Sequence, residues 1–580
     1  MNVLKLTHPN CQFKINLRGK NWINSQEKTT KGHYVLSWSQ GFAFELNSEP
    51  VSVDHARMNA LVSKQSMLPL SSQLTGHYCF LRILSTHPFS EEQEINSEFS
   101  IEVHCDRLRS FPMFYYQDEN LLWLSDDLFW LAEQLRTHSA LHLNPLGILS
   151  MWRTAQLVSG SDTILAQIKQ SQASDLLIWR NGHLSVSKGE QYIHQEDEKL
   201  EVSTLKAQLK EAAQRFTQRL IHYANGAQIV VPLSGGFDSR LVLTALVEAQ
   251  YPKLFAFTYG RHYSGEVKLS EQIATQLNVP WQFVQYTPKK WKHWKTTLQC
   301  EKLFHQARST SVLAHIQDPM AIDELVQSGH IEPDSVIACG HSGDVHAGSL
   351  IDQKSLNTAL HKTAYIELLC KKYYRFQAEL MPPLPASAPT KSLESLKTQL
   401  KAKLAQELSS VFTQGLTPDG SIVQREKLID ELERWFCVER CSKYLVASMR
   451  AYEIFGLKWW LPLWDDAFTQ VWLSVPLKHR GRFSVYHEFV NEYFEEISKS
   501  TAPKASVRHT TAPKVHPIKA LLLKLKWVQV LRFRQKHPFA WYAFIPFLQH
   551  LRSASPQEHI NVHLIQDEIQ WWLNYERSKF

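Results

Sequence analysis

Several things are missing from this sequence, and each absence excludes a class of protein. No run approaches the ~18 uninterrupted apolar residues that a membrane-spanning helix needs. The opening, Met1-Asn2-Val3-Leu4-Lys5-Leu6-Thr7-His8-Pro9, lacks the apolar core of a secretory signal, so a cytoplasmic chain is expected. The eight cysteines (Cys11, Cys79, Cys105, Cys300, Cys339, Cys370, Cys437 and Cys441) include no CxxC pair. They read as reduced thiols rather than as a disulfide frame or a zinc site. Internal repeats and long low-complexity tracts are absent as well. What is there, 580 residues with 44% hydrophobic and 21% charged, is ordinary for a folded protein. That length provides for about three structural units.

Acidic residues vanish from one stretch. Between Ile497 and Gln557 there are eleven Lys/Arg and no Asp or Glu, against a net charge of +7 for the whole chain, so the remainder is net acidic. Such a block speaks of partners rather than of fold. Within it Leu521, Leu522, Leu525 and Val528 recur at helical spacing, followed by Arg532, Arg534, Lys536 and the aromatic run Phe539 to Phe544. Three readings stay open: a helix docked on the core, a peripheral membrane contact through 515–550, or a site for an anionic substrate. No recognition motif accompanies the charge, so nucleic acid is not expected. A homodimer is left open.

Along the chain, the first ~195 residues are short β-like runs divided by turns, such as Tyr34–Trp38, Tyr78–Leu84 and Phe99–His104, with little helical periodicity before Asn120. After Glu201 the pattern changes. Leu205, Leu209, Ala212, Phe216 and Leu220 repeat as on a helix, and Gln228–Leu233 reads as a buried strand. Helix 238–249, strand 254–258, helix 264–277 and strand 281–286 follow, with a later strand at 335–340; this alternation predicts a parallel sheet. The Pro-rich stretch 381–389 reads as an exposed connection.

The chemistry concentrates in Val231-Pro232-Leu233-Ser234-Gly235-Gly236-Phe237-Asp238-Ser239-Arg240. A buried strand ends, two glycines permit a tight turn, and a helix begins, which aims backbone N–H groups and a helix N-terminus at one spot. Ser234 and Ser239 add hydroxyls, and Asp238 can hold a cation that neutralises phosphates. There is no Gly-Lys-Ser/Thr ending, so the loop is not of the Walker type.

Ser234-Gly235-Gly236-Phe237-Asp238-Ser239 resembles the pyrophosphate-binding loop of the N-type ATP pyrophosphatases, which cleave ATP between its α and β phosphates. Upstream, Cys105-Asp106-Arg107-Leu108, Met113-Phe114-Tyr115-Tyr116, Leu124-Ser125-Asp126-Asp127 and Ser161-Asp162-Thr163-Ile164 are similar to the amidotransferase-like domain of asparagine synthetases. Downstream, Gly340-His341-Ser342-Gly343-Asp344 and Glu453 to Asp465, with Leu461-Pro462-Leu463-Trp464-Asp465 and Leu473-Ser474-Val475-Pro476, resemble that family's later blocks. The resemblance spans roughly 75–480 and points to the asparagine synthetase/β-lactam synthetase superfamily.

It implies an α/β plus α+β protein in three parts. Residues 1–195 would form a degenerate Ntn-type, β-rich sandwich of the glutamine amidotransferase kind. Residues 200–495 would form a parallel-sheet ATP pyrophosphatase domain (adenine nucleotide α-hydrolase-like) with a helical C-terminal part. Residues 496–580 would be a basic helical extension. The family's catalytic cysteine follows the initiator methionine; here Asn2 stands there, and the Asn-Cys-Gln-Phe context of Cys11 does not match. Glutamine hydrolysis is therefore not expected, and ammonia or an amine would be the nucleophile.

By the same resemblance, ATP lies on Leu233, Ser234, Gly235, Gly236, Asp238, Ser239, Phe257, Thr258 and Gly340, and Asp238 and Asp344 hold Mg²⁺. Val345 follows Asp344 where asparagine synthetases have Glu, whereas β-lactam synthetases use a Tyr–Glu base. His341 and Glu453 occupy the matching places, and a His–Glu pair is a sensible general base. A late lysine would stabilise an oxyanion; of Lys504 and Lys514, Lys514 is preferred. The expected activity is an ATP-dependent, AMP- and pyrophosphate-forming ligase that turns a carboxylate into an amide. A uronic acid of surface-polysaccharide assembly is the expected acceptor. Aspartate is the alternative, and a non-catalytic ATP-binding scaffold is the rival from another class.

Overall fold

The structure, a computed structural model, describes residues 4–577 apart from breaks of ten residues or fewer and three longer stretches, 349–394, 404–424 and 504–524. The N-terminal region is built from two sheets. One orders Leu4–His8, Cys11–Asn16, Leu121–Ser125, Phe114–Gln117 and Lys169–Gln170. The other orders His183–Lys188, Asp175–Arg180, Phe99–Cys105, Leu74–Ser85, Tyr34–Glu45 and Ile23–Lys28, with Ser52–Val53 beside Tyr34–Glu45.

Alternate residues explain how they stack. Cys79, Leu81 and Ile83, with Ile101 and Val103, share one core with Ile15, Leu122 and Leu124 of the facing sheet. Their period of two follows from side chains that alternate between the faces of a strand, and both faces of Leu74–Ser85 and Phe99–Cys105 are buried. Phe80 points the other way, toward Met58 and Val62 of a helix, His55–Lys64, that the strand-only reading of this region does not anticipate. Its buried apolar side chains are Met58 and Val62 alone, four apart, too short a signal beside the strong β pattern around it.

The second region centres on five parallel strands in the order Trp281–Gln285, Leu254–Gly260, Ile229–Pro232, Val336–Ala338, Lys458–Trp460. The first strand in the chain is the middle one, so the connections leave it in opposite directions. Such a switch point opens a crevice beyond the carboxyl ends of Ile229–Pro232 and Val336–Ala338. Both faces are covered. Ile229 and Val231 face the helices Val202–Ala224, Asp238–Glu248 and Val485–Ser498. Val230, Phe255, Phe257 and Ile337 face Pro288–Trp294, Leu298–Ser309 and Pro319–Gln327. Lys458–Trp460 joins the edge of the sheet and was not legible as a strand, because three residues inside an aromatic block carry no period.

The C-terminal segment straps both regions together. Tyr542, Ile545, Ile560 and Leu564 join the core under the parallel sheet, while Ile565, Ile569, Trp572 and Leu573 join that around Trp130, Leu131 and Leu135. Trp291 Nε1 donates to the Pro538 carbonyl at 2.9 Å, and Arg308 Nε pairs with Glu568 at 2.9 Å. Part of the aromatic run Phe539 to Phe544 is thus interior: Ala540 and Tyr542 are buried. His77 fastens the two larger regions. It lies 4.6 Å from the Trp459 ring and 4.7 Å from the Trp460 ring, and its Nε2 accepts from the Leu461 amide at 3.4 Å.

Candidate active site

The strand Ile229–Pro232 runs into Leu233 and Ser234, and the helix Asp238–Glu248 starts four residues later. The loop is closed by its own hydroxyls. The Ser234 amide donates to Ser239 Oγ at 3.1 Å, and the Gly236 amide donates to Ser234 Oγ at 3.2 Å. Asp238, in the first helical turn, accepts from the Tyr486 hydroxyl at 2.7 Å.

Gly340 and Gly343 let a second loop close on the first. A Cβ on Gly340 would lie 2.5 Å from the Ser239 amide nitrogen, and one on Gly343 would lie 2.0 Å from Asp238 Cγ. Neither position accepts a side chain without backbone movement. Asp344 is the second residue of the short helix Gly343–His346, directly after the glycine that packs on Asp238; its side chain lies outside the described residues. Lys504 and Lys514 lie outside them as well.

Both loops open on one cavity of about 890 Å³. Leu233, Ser234, Asp238, Ser239, Phe257, Thr258, Gly340 and His341 all line it. Leu233 has little backbone left to give: its amide donates to the Phe257 carbonyl at 2.8 Å, and its carbonyl already accepts from Thr258 Oγ1 at 2.6 Å.

Glu453 is elsewhere. It accepts from Trp459 Nε1 at 3.0 Å and from Gln306 Nε2 at 3.4 Å, beside Arg450, and does not line the cavity. The His–Glu pairing expected from the sequence is replaced by another set. The His341 ring sits 6.1 Å from that of His315, whose Nδ1 is 3.5 Å from Asp318 Oδ1. Asp318 accepts a hydrogen bond from Tyr452, whose hydroxyl is 3.4 Å from Cys339 Sγ.

Burial lowers His341 to about 4, helped by the neighbouring His315 and opposed by Asp318, so its imidazole is neutral at pH 7. Burial pushes the Asp318 carboxyl up, but His315 and the Tyr452 hydroxyl outweigh it and hold the group below the usual carboxylate range. Sequence reasoning missed His315, Asp318, Tyr452 and Tyr486. The signal at Asp318 was ambiguous, since Asp before Pro319 reads as a helix cap. The structure gives it no capping bond and turns it to Tyr452 instead.

Among the described residues one group has the composition of a metal site, His194, Asp430 and Glu433. Arg480 already provides its positive charge, lying 2.7 Å from both Glu433 and Asp430, so the group reads as a buried ion network.

No family model matches the chain, and no curated protein matches it. Solved structures do. One is an NH3-dependent NAD synthetase from Campylobacter jejuni, at 15% identity, 38% coverage of this chain and 90% of that one, and a TM-score of 0.19. Another is the U34-tRNA thiolase NcsA from Methanococcus maripaludis, at 16% identity, 40% and 80% coverage, and a TM-score of 0.18. Scores that low assign neither fold nor activity. No described helix is long and apolar enough to cross a membrane.

Proposed function

We propose that this protein is an ATP-dependent, AMP-forming ligase that converts a carboxylate into an amide with ammonia or an amine. The single observation that carries the reading is the closure of two loops, Ser234–Ser239 and the one from Gly340, around Asp238 at the switch point of a parallel sheet, on the wall of one large cavity. Loop amides and a helix N-terminus suit the phosphates of ATP. The Asp238 carboxylate supplies the hard oxygen that Mg²⁺ favours, with phosphate oxygens and Asp344 as the other expected ligands. Bound there, the ion would offset charge on the departing pyrophosphate.

A carboxylate is a poor electrophile, and attack on the α-phosphate turns it into an acyl-adenylate with a good leaving group. The amine then displaces AMP. His341, neutral and adjoining the His315–Asp318 pair, can accept a hydrogen bond from that amine; at about 4 it is too weak a base to carry the whole proton transfer. His341→Gln is therefore expected to lower kcat roughly ten-fold rather than the ~10²–10⁴-fold of a lost general base.

The test is pyrophosphate release from MgATP with ammonium and a panel of carboxylates in which uronates and aspartate are separate arms. Asp238→Ala should abolish release. A wild-type protein that binds ATP but never releases pyrophosphate would favour a nucleotide-binding scaffold. Peripheral membrane association would use the exposed Trp527, Leu531 and Leu548, and flotation with anionic vesicles checks it.

A further inference from the structure

The cavity that the two loops open is roofed by the basic C-terminal segment. Arg532, Phe533, Lys536, His537, Pro538 and Phe539 form part of its wall. They belong to the end of the helix Lys526–Lys536 and the turn after it, anchored by the buried Val530 and by the Trp291 bond to Pro538.

Charge on this wall is divided unequally. The Ser234–Ser239 loop contains no lysine or arginine. Arg240, directly after it, turns its donors to Asn491 Oδ1 at 3.0 Å and the Gly235 carbonyl at 3.4 Å and does not line the cavity. The carboxylates Asp238, Glu266 and Asp318 do line it. Arg261, on the same wall, gives Nη1 to the Tyr286 carbonyl at 2.8 Å. Arg532 and Lys536 are different. They stand four residues apart on one helix face, both are exposed, and among the described residues neither makes an ion pair or a side-chain hydrogen bond. Lys536 in the last turn also offsets the negative end of its helix, a role that Arg532, a turn earlier, does not share.

We infer that Arg532 and Lys536 are the cations that hold the β- and γ-phosphates of ATP and then the departing pyrophosphate. The inference rests on the ligase reading above. A floor of amides, hydroxyls and carboxylates orients a polyphosphate, and a cationic roof balances its charge. As the bond between the α-phosphorus and the bridging oxygen breaks, that oxygen keeps the electron pair, so charge grows on the pyrophosphate side, where guanidinium and ammonium groups stabilise it most.

The experiment uses full-length protein with Arg532→Gln, Lys536→Gln and both together, with MgATP, pyrophosphate and AMP titrated by calorimetry. Each single substitution should weaken MgATP and pyrophosphate about ten-fold and leave AMP unchanged, and Arg532→Lys should recover most of the loss. Equal weakening of AMP would reduce the roof to a packing lid and overturn the inference. So would a loss confined to the KM of the carboxylate, which would assign the pair to the acceptor. Unchanged binding in all variants would overturn this inference alone. A wild-type protein that binds none of the three ligands would overturn the ligase reading and this inference with it.

Discussion

The floor and the roof of the cavity are made in opposite ways. The floor is local: a strand, a glycine turn and a helix follow one another within about twenty residues, and its hydrogen bonds join Ser234, Gly236 and Ser239. The roof arrives from nearly three hundred residues downstream. It is held by side chains of other regions, such as Trp291 on Pro538, Lys295 on the Tyr542 carbonyl and Arg308 on Glu568. A local element keeps its shape because each step of the chain constrains the next. A docked one keeps its place through the apolar surface it buries and the polar bonds it makes to distant residues.

That contrast can be broken from either side. Trp572 is buried in the core it shares with Trp130 and Leu131, so Trp572→Ala should cost about 3–5 kcal/mol, measured by denaturant unfolding. It should loosen the roof, giving protease cleavage after Lys526 or Arg532, while the loop Ser234–Ser239 stays protected. Cleavage spread evenly over both would mean that the two are one cooperative unit. On the floor, Gly343→Ala forces a Cβ into Asp238 and should cost about 1–3 kcal/mol by overpacking. Nucleotide binding should fall more than stability does, which a thermal shift with and without MgATP will read.

The seam between the regions should respond to pH. Burial lowers His77 to about 3, and its Nε2 accepts from Leu461, so the folded state wants the neutral ring. Between pH 6.5 and 3 the unfolded chain binds the proton more readily, and stability must fall as pH drops through that window. At pH 5 the loss is about 2 kcal/mol. His77→Gln should flatten the acid limb of a Tm-against-pH curve, and an unchanged slope would remove His77 from the account. The smallest effect belongs to Lys210, which joins the helices Val202–Ala224, Asp238–Glu248 and Val485–Ser498 away from the cavity. Lys210→Ala breaks exposed ion pairs to Glu496 and Glu248 and should change stability by no more than about 0.5 kcal/mol.

Much of the floor was legible. The expected strand at 228–233 is Ile229–Pro232, and the expected helix at 238–249 is Asp238–Glu248, because each signal lies within the window that defines the element. The Gly340 loop was legible as a motif, but its steric reason, two glycines pressed on Asp238, was not. The pairing of His341 with Glu453 was what the resemblance to the Tyr–Glu base implied, and matching places in a motif do not fix which carboxylate reaches a given ring. Asp318 reaches the histidine pair, while Glu453 is drawn to Trp459 and Arg450. The basic tail showed its charge and helical period, yet not its address, since a docked helix and a membrane-surface helix share one amphipathic pattern.

The sequence by itself determined the strand–turn–helix with its glycines, hydroxyls and Asp238, and it determined that positive charge is withheld from that loop and concentrated near the C-terminus. Short-range sterics and periodicity are enough for both. Only the tertiary structure decided that Arg532 and Lys536 come to the cavity, that His315 and Asp318 stand beside His341, and that Glu453 stays away. Those placements depend on which buried surfaces meet, and burial is a property of the folded whole.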